Sequence, residues 1–291
     1  MAAPFPVCYL NGEFLPLKDA RISPLDRGFL FADSVYEVLP SFAGRPYRFR
    51  EHFDRLDRSL REIRLDSPHT HEQWLAIVSG LVKRNAAPEC YVYVQVSRGA
   101  EFGRNHAFPA AATAATVFAI CCPLPEFSAE QRTRGLSAIT VEDFRWGRCD
   151  VKSTMLLANV LMKQAATDAD ANEAIIVSNG QVLEGASTSV FVVTNGALIT
   201  PPNSQRILPG TTRDAALEYA GEHIAHQVRP ISVDELYRAD EVWIAAATRD
   251  VLPVARIDGK QIGKGVPGPV WKRMADLFAE DRRRLANQPA L

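Results

Sequence analysis

Four turn dipeptides constrain this chain more than anything else in it: Asn11-Gly12, Asn179-Gly180, Asn195-Gly196 and Asp258-Gly259. Asn, Asp and Gly tolerate the positive φ that a two-residue hairpin needs at both central positions, so each such pair between apolar runs joins antiparallel strands. Beside them lie residues 7–10 and 14–17, then 173–178, 181–184 and 189–194, all rich in strand formers. A parallel sheet would need a long crossover in place of each hairpin. No GxGxxG follows a strand, which removes the dinucleotide-binding fingerprint. The chain is expected to be α+β, with antiparallel sheets and not a doubly wound parallel one.

Between the hairpins the hydrophobic period changes. Residues 34–42, with Val35, Tyr36, Val38 and Leu39, favour a strand whose Pro40 suggests an edge or an irregular end. From 51 to 63, Phe53, Leu56, Leu60 and Ile63 make one helical stripe and leave His52, Arg55 and Arg58 off its centre, a basic face that is ordinarily solvated. Thr70 and Gln73 form a capping box opening a second helix to about residue 86. Residues 91–96 alternate as a half-buried strand, 97–109 read as a loop carrying Arg104 and His106, and 113–122 as another strand. The proline-bearing stretch 122–133 is the expected linker between an N-terminal domain, 1–121, and a C-terminal one, 134–291. In the second part we expect a strand at 136–141, a helix from the Pro209–Asp214 region to 224, a strand and loop at 241–254, and an amphipathic helix at 269–285.

The stretch 145–166 changes character in its middle. It is charged and irregular up to Lys152, and from Ser153 the residues Leu156, Leu157, Val160, Leu161 and Ala165 recur at helical spacing. Lys152 is therefore expected at the mouth of a helix, where the partial positive charge of the helix start disfavours a second cation. Carbonyl chemistry asks for a lysine that gives up its proton, because only the neutral amine attacks an aldehyde to form a Schiff base. Taken alone, the same residues also describe a solvated lysine before an ordinary amphipathic helix.

Cys149-Asp-Val-Lys-Ser-Thr-Met-Leu-Leu157, followed downstream by Val182-Leu-Glu-Gly-Ala-Ser-Thr-Ser-Val-Phe191, resembles the double signature of the class IV pyridoxal-phosphate aminotransferases. That family holds the D-amino-acid, branched-chain and (R)-amine transaminases and aminodeoxychorismate lyase. The resemblance runs from Leu10 to Phe278 and is nearest to the D-amino-acid enzymes. It implies a two-domain fold type IV enzyme, with a smaller N-terminal α/β sandwich and a larger C-terminal pseudo-barrel of mostly antiparallel strands with flanking helices. It implies pyridoxal 5′-phosphate carried on Lys152, Glu184 keeping the pyridine nitrogen protonated, and Leu208 against the ring. His52-Phe-Asp-Arg-Leu56 is similar to the segment whose arginine grips the phosphate, which singles out Arg55. Thr211, Thr212 and Thr248, the backbone at Ala247, and Ser187 and Thr188 of the second signature complete the implied cofactor set. Tyr36 is implied to reach the active site, and Arg104 with His106 to trap the substrate carboxylate from the neighbouring subunit. A homodimer with its active site at the subunit interface follows.

The implied reaction moves the amino group of a D-amino acid to a 2-oxo acid such as 2-oxoglutarate or pyruvate. One stretch departs from pattern: where the D-specific members carry small hydroxyl residues, this chain has Ala246, Ala247, Thr248 and then Arg249, which either contacts a second carboxylate or pairs with Asp250. A branched-chain or other class IV enzyme and aminodeoxychorismate lyase are the same-fold alternatives. A protein that binds an anionic metabolite without chemistry is the alternative from another class. Composition narrows the partners. A formal net charge of -1 gives no reason to expect nucleic acid or an anionic membrane, and the apolar run 110–122 is too short to span a bilayer. Five cysteines without CxxC spacing offer no metal site or disulfide framework and fit a reduced cytoplasm, and Met1-Ala-Ala-Pro-Phe-Pro6 has no signal-peptide character.

Overall fold

A computed structural model describes residues 3–109 and 113–287, with Glu222 described by its backbone alone. The start of the apolar run, 110–112, and the extreme ends of the two expected domains lie outside the described residues. The chain divides into two compact units. The first takes the residues up to Pro125, Val151–Met155 and those from Arg282 onward; the second takes Glu126–Asp150 and Leu156–Asp281.

In chain order the first unit holds β1 (Val7–Leu10), β2 (Glu13–Pro16), α1 (Arg27–Phe31), β3 (Ser34–Phe42), β4 (Arg45–Pro46), α2 (Phe49–Glu62), α3 (His71–Arg84), β5 (Cys90–Ser97) and β6 (Thr116–Cys122). The strands form a six-stranded sheet in the order β2-β1-β6-β5-β3-β4, with every neighbouring pair antiparallel. Asn11 and Gly12 take φ of 49° and 104°, as the hairpin chemistry requires. Thr70 and Gln73 close their capping box at the start of α3. Phe53, Leu56 and Leu60 of α2 pack with Trp74, Val78 and Leu81 of α3 against Val35, Leu39, Val92, Val94 and Val96 of the sheet. Because strand side chains alternate, the register that sends Val35 and Leu39 toward these helices sends Glu37 the same way and Tyr36 to the opposite face.

The second unit contains α4 (Ala129–Arg134), β7 (Leu136–Glu142), α5 (Leu157–Asp168), β8 (Glu173–Ser178), β9 (Gln181–Gly185), β10 (Ser189–Thr194), β11 (Ala197–Thr200), α6 (Thr211–His223), β12 (His226–Val228), β13 (Ile231–Ser232), α7 (Val233–Arg238), β14 (Glu241–Ala246), β15 (Asp250–Ile257) and β16 (Lys260–Gln261). The last helix is α8, Pro269–Ala286. The strands make a ten-stranded sheet curled as a half-barrel, in the order β12-β11-β10-β14-β15-β7-β8-β9-β13 with β16 on β15. Among the described residues only β11 with β12, β15 with β7 and β7 with β8 run parallel. One apolar layer joins Ile175, Val190, Val192, Ile244, Leu252 and Val254 to Leu236 of α7. Another packs Phe191 and Trp243, stacked at 5.1 Å, against Ala216 and Ala220 of α6 and Trp271, Met274 and Phe278 of α8. Among the described residues no helix is long and apolar enough to cross a membrane.

One expectation is corrected here. The helix expected from Ser153 begins at Leu157. Ser153 instead forms an antiparallel bridge with Val35 of β3, and Thr154 N donates to Ser34 O at 3.1 Å. The helix-start field falls off within one turn, so Lys152 lies outside it.

Candidate active site

The sequence-selected residues are divided between the two units and lie in several separate clusters. In the first unit, residues 151–155 lie along β3 as an added strand-like segment. Tyr36 N donates to Lys152 O at 2.9 Å, and Lys152 N donates to Ser59 Oγ of α2 at 3.2 Å. With its backbone fixed on both sides, Lys152 carries Nζ to 4.2 Å from the centroid of the Tyr36 ring. Tyr36 stacks in turn on Tyr93 of β5, centroids 5.5 Å apart, and Tyr93 Oη donates to Gln95 Oε1 at 2.8 Å.

Arg55 is 9% exposed, against the expectation of a solvated basic face. Its Nε and Nη2 donate to the two carboxylate oxygens of Glu37 at 2.6 and 2.8 Å, and His52 Nδ1 lies 2.8 Å from Glu37 Oε2. Burial pushes the Glu37 carboxyl up, but the Arg55 guanidinium and His52 more than reverse this and hold it well below the usual carboxylate range. Burial also lowers His52, partly opposed by Glu37. The trio is a charged cluster inside an apolar layer, stable because each group is paired. Arg104 and His106 stand exposed on the 97–116 connection, with the Arg104 guanidinium 5.1 Å and the His106 ring 5.0 Å from the ring of Phe31.

In the second unit, Glu184 is buried at the end of β9, where Leu208 N donates to its Oε2 at 3.1 Å and Arg145 Nη1 donates to its Oε1. Arg145 is itself fixed: its Nε donates to Asp143 Oδ1 at 3.0 Å and its Nη2 to Arg206 O at 3.0 Å. Arg206 closes the cluster by donating to Asp143 Oδ2 at 3.0 Å. Burial would weaken the Arg145 charge, yet Asp143 and Glu184 hold it more firmly protonated than usual.

Thr188 is 5% exposed, and its hydroxyl Oγ1 is buried without a hydrogen-bond partner among the described residues. A side chain at Gly185 would meet that oxygen at 2.0 Å, so only glycine fits beside it. The start of α6 has no side-chain cap at Gly210, and Thr211 and Thr212 lie buried in its first turn. Such a helix start collects amide donors and partial positive charge, the chemistry an anion needs. A Cβ at Gly210 would lie 2.6 Å from Ser189 Oγ. Ala247, Thr248 and Arg249 form the turn between β14 and β15. Arg249 Nη1 lies 3.7 Å from Glu173 Oε2, a fully buried carboxylate on β8. Ser187 Oγ donates to the same oxygen at 3.4 Å.

The family model described as class IV amino-transferase matches residues 34–257. The chain belongs to the class IV aminotransferases. It is 37% identical over 271 residues to a D-alanine aminotransferase of Staphylococcus haemolyticus, covering 93% of this chain and 95% of that one. A D-alanine aminotransferase of Bacillus licheniformis is 38% identical over 265 residues, 91% of this chain and 93% of that one. Among solved structures it is similar to the branched-chain amino acid aminotransferase of Escherichia coli, at TM-score 0.88 and 26% identity, covering 95% of this chain and 94% of that one. A T.th. branched-chain amino acid aminotransferase with pyridoxamine 5′-phosphate gives TM-score 0.88 at 27% identity, covering 96% and 94%. A class IV aminotransferase is an enzyme of amino-group transfer, which removes the reading as a passive metabolite binder.

The residues present fit the cofactor of this family. A buried hydroxyl lacking a partner, an uncapped helix start and a carboxylate aligned by a guanidinium and an amide answer to a phosphate and a ring nitrogen. Sequence reasoning missed Glu37, Tyr93, Asp143 and Arg145. Alternation along β3 was a signal for Glu37, since the register that sends Tyr36 to one face sends its neighbour into the apolar layer on the other, and a buried carboxylate needs a cation.

Proposed function

We propose that this aminotransferase moves the amino group of a D-amino acid to a 2-oxo acid such as 2-oxoglutarate or pyruvate, as a homodimer using pyridoxal 5′-phosphate. The observation that carries the reading is the segment laid along β3, which holds Lys152 Nζ 4.2 Å from the Tyr36 ring in a chain 37% identical to a D-alanine aminotransferase. When bound, the cofactor supplies the electron sink that makes the substrate's Cα proton labile. Lys152 takes and returns that proton, its amine acting as general base and then acid. Glu184, immobilised by Arg145 and the Leu208 amide, would hold a proton at the ring nitrogen of the bound cofactor, and Leu208 would lie against the ring.

The first-turn amides of α6 with Thr211 and Thr212, together with Thr248, the Ala247 amide and Arg55, take the phosphate. Thr188 supplies its unpartnered hydroxyl, and Ser187 acts from its place on Glu173. Tyr36 with Arg104 and His106 of the partner subunit binds the substrate carboxylate. Arg249, held at Glu173, lies on the turn that carries Thr248 and borders the side-chain pocket. Support for the dimer comes from α5, where Leu157, Val160 and Leu161 present an apolar face that is 73%, 59% and 53% exposed. The five cysteines without disulfide spacing favour the cytoplasm.

The test is a donor panel scored for both enantiomers. D-alanine or D-glutamate should exceed the L-forms by at least roughly 10² in kcat/KM, a discrimination of about 2.7 kcal/mol. Comparable rates with L-leucine or L-glutamate would favour the branched-chain reading, which the likeness to the two branched-chain enzymes supports.

A further inference from the structure

The loop that bears Arg104 and His106 is docked onto α1 at both ends. At its start, Arg27 N donates to Gly99 O at 2.9 Å and Asp26 bridges to Ala100. At its far end, the buried guanidinium of Arg27 gathers three consecutive carbonyls: Nη1 donates to Asn105 O at 2.7 Å and to Ala107 O at 3.2 Å, and Nη2 to His106 O at 3.2 Å. Its Nε donates to Asp33 Oδ2 at 2.9 Å. Asp33 is held from the other side by Arg98, whose Nε and Nη2 donate to it at 2.8 and 3.1 Å. Arg98 also donates to the carbonyls of Ile63 and Arg64 at 2.6 and 3.1 Å, so the carboxylate that aims Arg27 is tied to the end of α2.

Phe31 completes the arrangement. One turn after Arg27 on α1, its ring lies 4.9 Å from the Arg27 guanidinium and 5.1 Å from that of Arg104. Every polar contact of the Arg27 side chain in this set goes to backbone or to an acidic side chain, and none goes to the side chains of Arg104 or His106. A clamp on carbonyls fixes where a loop sits while leaving its side chains available. Lysine could not replace it, because a single ammonium cannot reach three carbonyls and a carboxylate in one planar fork.

We propose that Arg27, aimed by Asp33, is a positioning residue for the substrate-carboxylate trap, setting the placement from which Arg104 and His106 are presented. The inference rests on the assignment of those two residues to the carboxylate. It makes affinity for both amino acid and 2-oxo acid depend on a buried arginine that touches neither.

The experiment uses the holoenzyme of Arg27→Lys, with Asp33→Asn as a second variant that keeps Arg27 and removes only what aims it. Steady-state kinetics are measured with D-alanine, or with whichever amino donor is turned over, since the α-carboxylate is common to all. A loop misplaced by about 1 Å should raise KM for donor and acceptor roughly tenfold or more in Arg27→Lys and less in Asp33→Asn. The visible absorption of the bound cofactor and its affinity should stay at wild-type values, which a general loss of fold would not allow. Trypsin should cut after the exposed Arg104 faster in both variants. If Arg104→Ala raises KM while both variants keep wild-type KM and cleavage rates, the clamp is overturned and the trap survives. If Arg104→Ala leaves KM unchanged, the trap assignment falls and this proposal falls with it.

Discussion

In α2 the residues Phe53, Leu56 and Leu60 are no more than 1% exposed, whereas in α5 Leu157, Val160 and Leu161 are 73%, 59% and 53% exposed. Both stripes recur at helical spacing. On α2 the stripe is covered by α3 and the six-stranded sheet, and the flanking His52 and Arg55 are drawn inside by Glu37. On α5 it is Met162 and Ala166, on the opposite side, that meet Ala174 and Ile176 of β8. Periodicity says that a helix has an apolar face; which molecule covers it is a separate fact. The two helices therefore separate an apolar face that the chain covers by itself from one that it leaves exposed.

The largest expected effect lies on α2. Leu56→Ala should lower stability in urea or thermal unfolding by about 2–5 kcal/mol, the range for truncating a buried leucine. A loss below about 1 kcal/mol would mean that the site collapses around the gap and that this stripe is not the rigid core described. On α5, the double change Leu157→Glu and Leu161→Glu should weaken self-association by at least roughly 100-fold, about 2.7 kcal/mol, in sedimentation equilibrium. The far-UV circular dichroism should not change, because neither side chain is packed within the chain. Unaltered association would end the similarity between α5 and an interface.

A smaller effect belongs to the polar edge of α2. Arg55→Lys keeps the charge beside Glu37 and loses the fork, so cofactor affinity, read by fluorescence titration of the apoenzyme, should fall by about tenfold. Equal affinity would confine Arg55 to aligning Glu37. The smallest effect is on pH. Burial holds the folded-state pKa of His52 below its ordinary value, so the unfolded chain binds a proton that the folded chain does not, and stability rises with pH. That contribution is complete above about pH 6.5 and is lost as pH falls below it; the lowered Glu37 adds a further loss below the ordinary carboxylate range. The groups facing His52 are Glu37, Arg55 and Lys152. His52→Gln should flatten the unfolding free energy between about pH 6.5 and 5 by up to roughly 1 kcal/mol, and an unchanged slope there would mean that His52 is protonated when folded.

The hairpins were legible because Asn-Gly and Asp-Gly carry their geometry locally. So was the stripe of α2, and so was the family, through Lys152 and Glu184 in their two signatures. The parallel pairings of β7 with β8 and β15 were not legible, because no local residue pattern encodes which distant strand is a neighbour. The start of α5 was placed too early for a related reason. Residues 153–154 continue the helical period, yet β3 captures them as an extended segment, and tertiary pairing wins over propensity. The proximity of Arg249 to Glu173 was not legible either, because the two are remote in sequence. Arg145 opens the stretch that leads to Lys152, yet its contact with Glu184 is not encoded locally, since it exists only where Glu184 is buried.

If Lys152 of one subunit shares a site with Arg104 and His106 of the other, as proposed above, mixing two inactive variants should rebuild that site. Alone, Lys152→Ala should abolish transamination and Arg104→Ala should severely impair it. After the two are mixed and exchanged, each heterodimer has one site with both residues intact, so activity should recover to about a quarter of wild type. No recovery despite demonstrated exchange would contradict the account and place the trap in the same subunit as the lysine it serves.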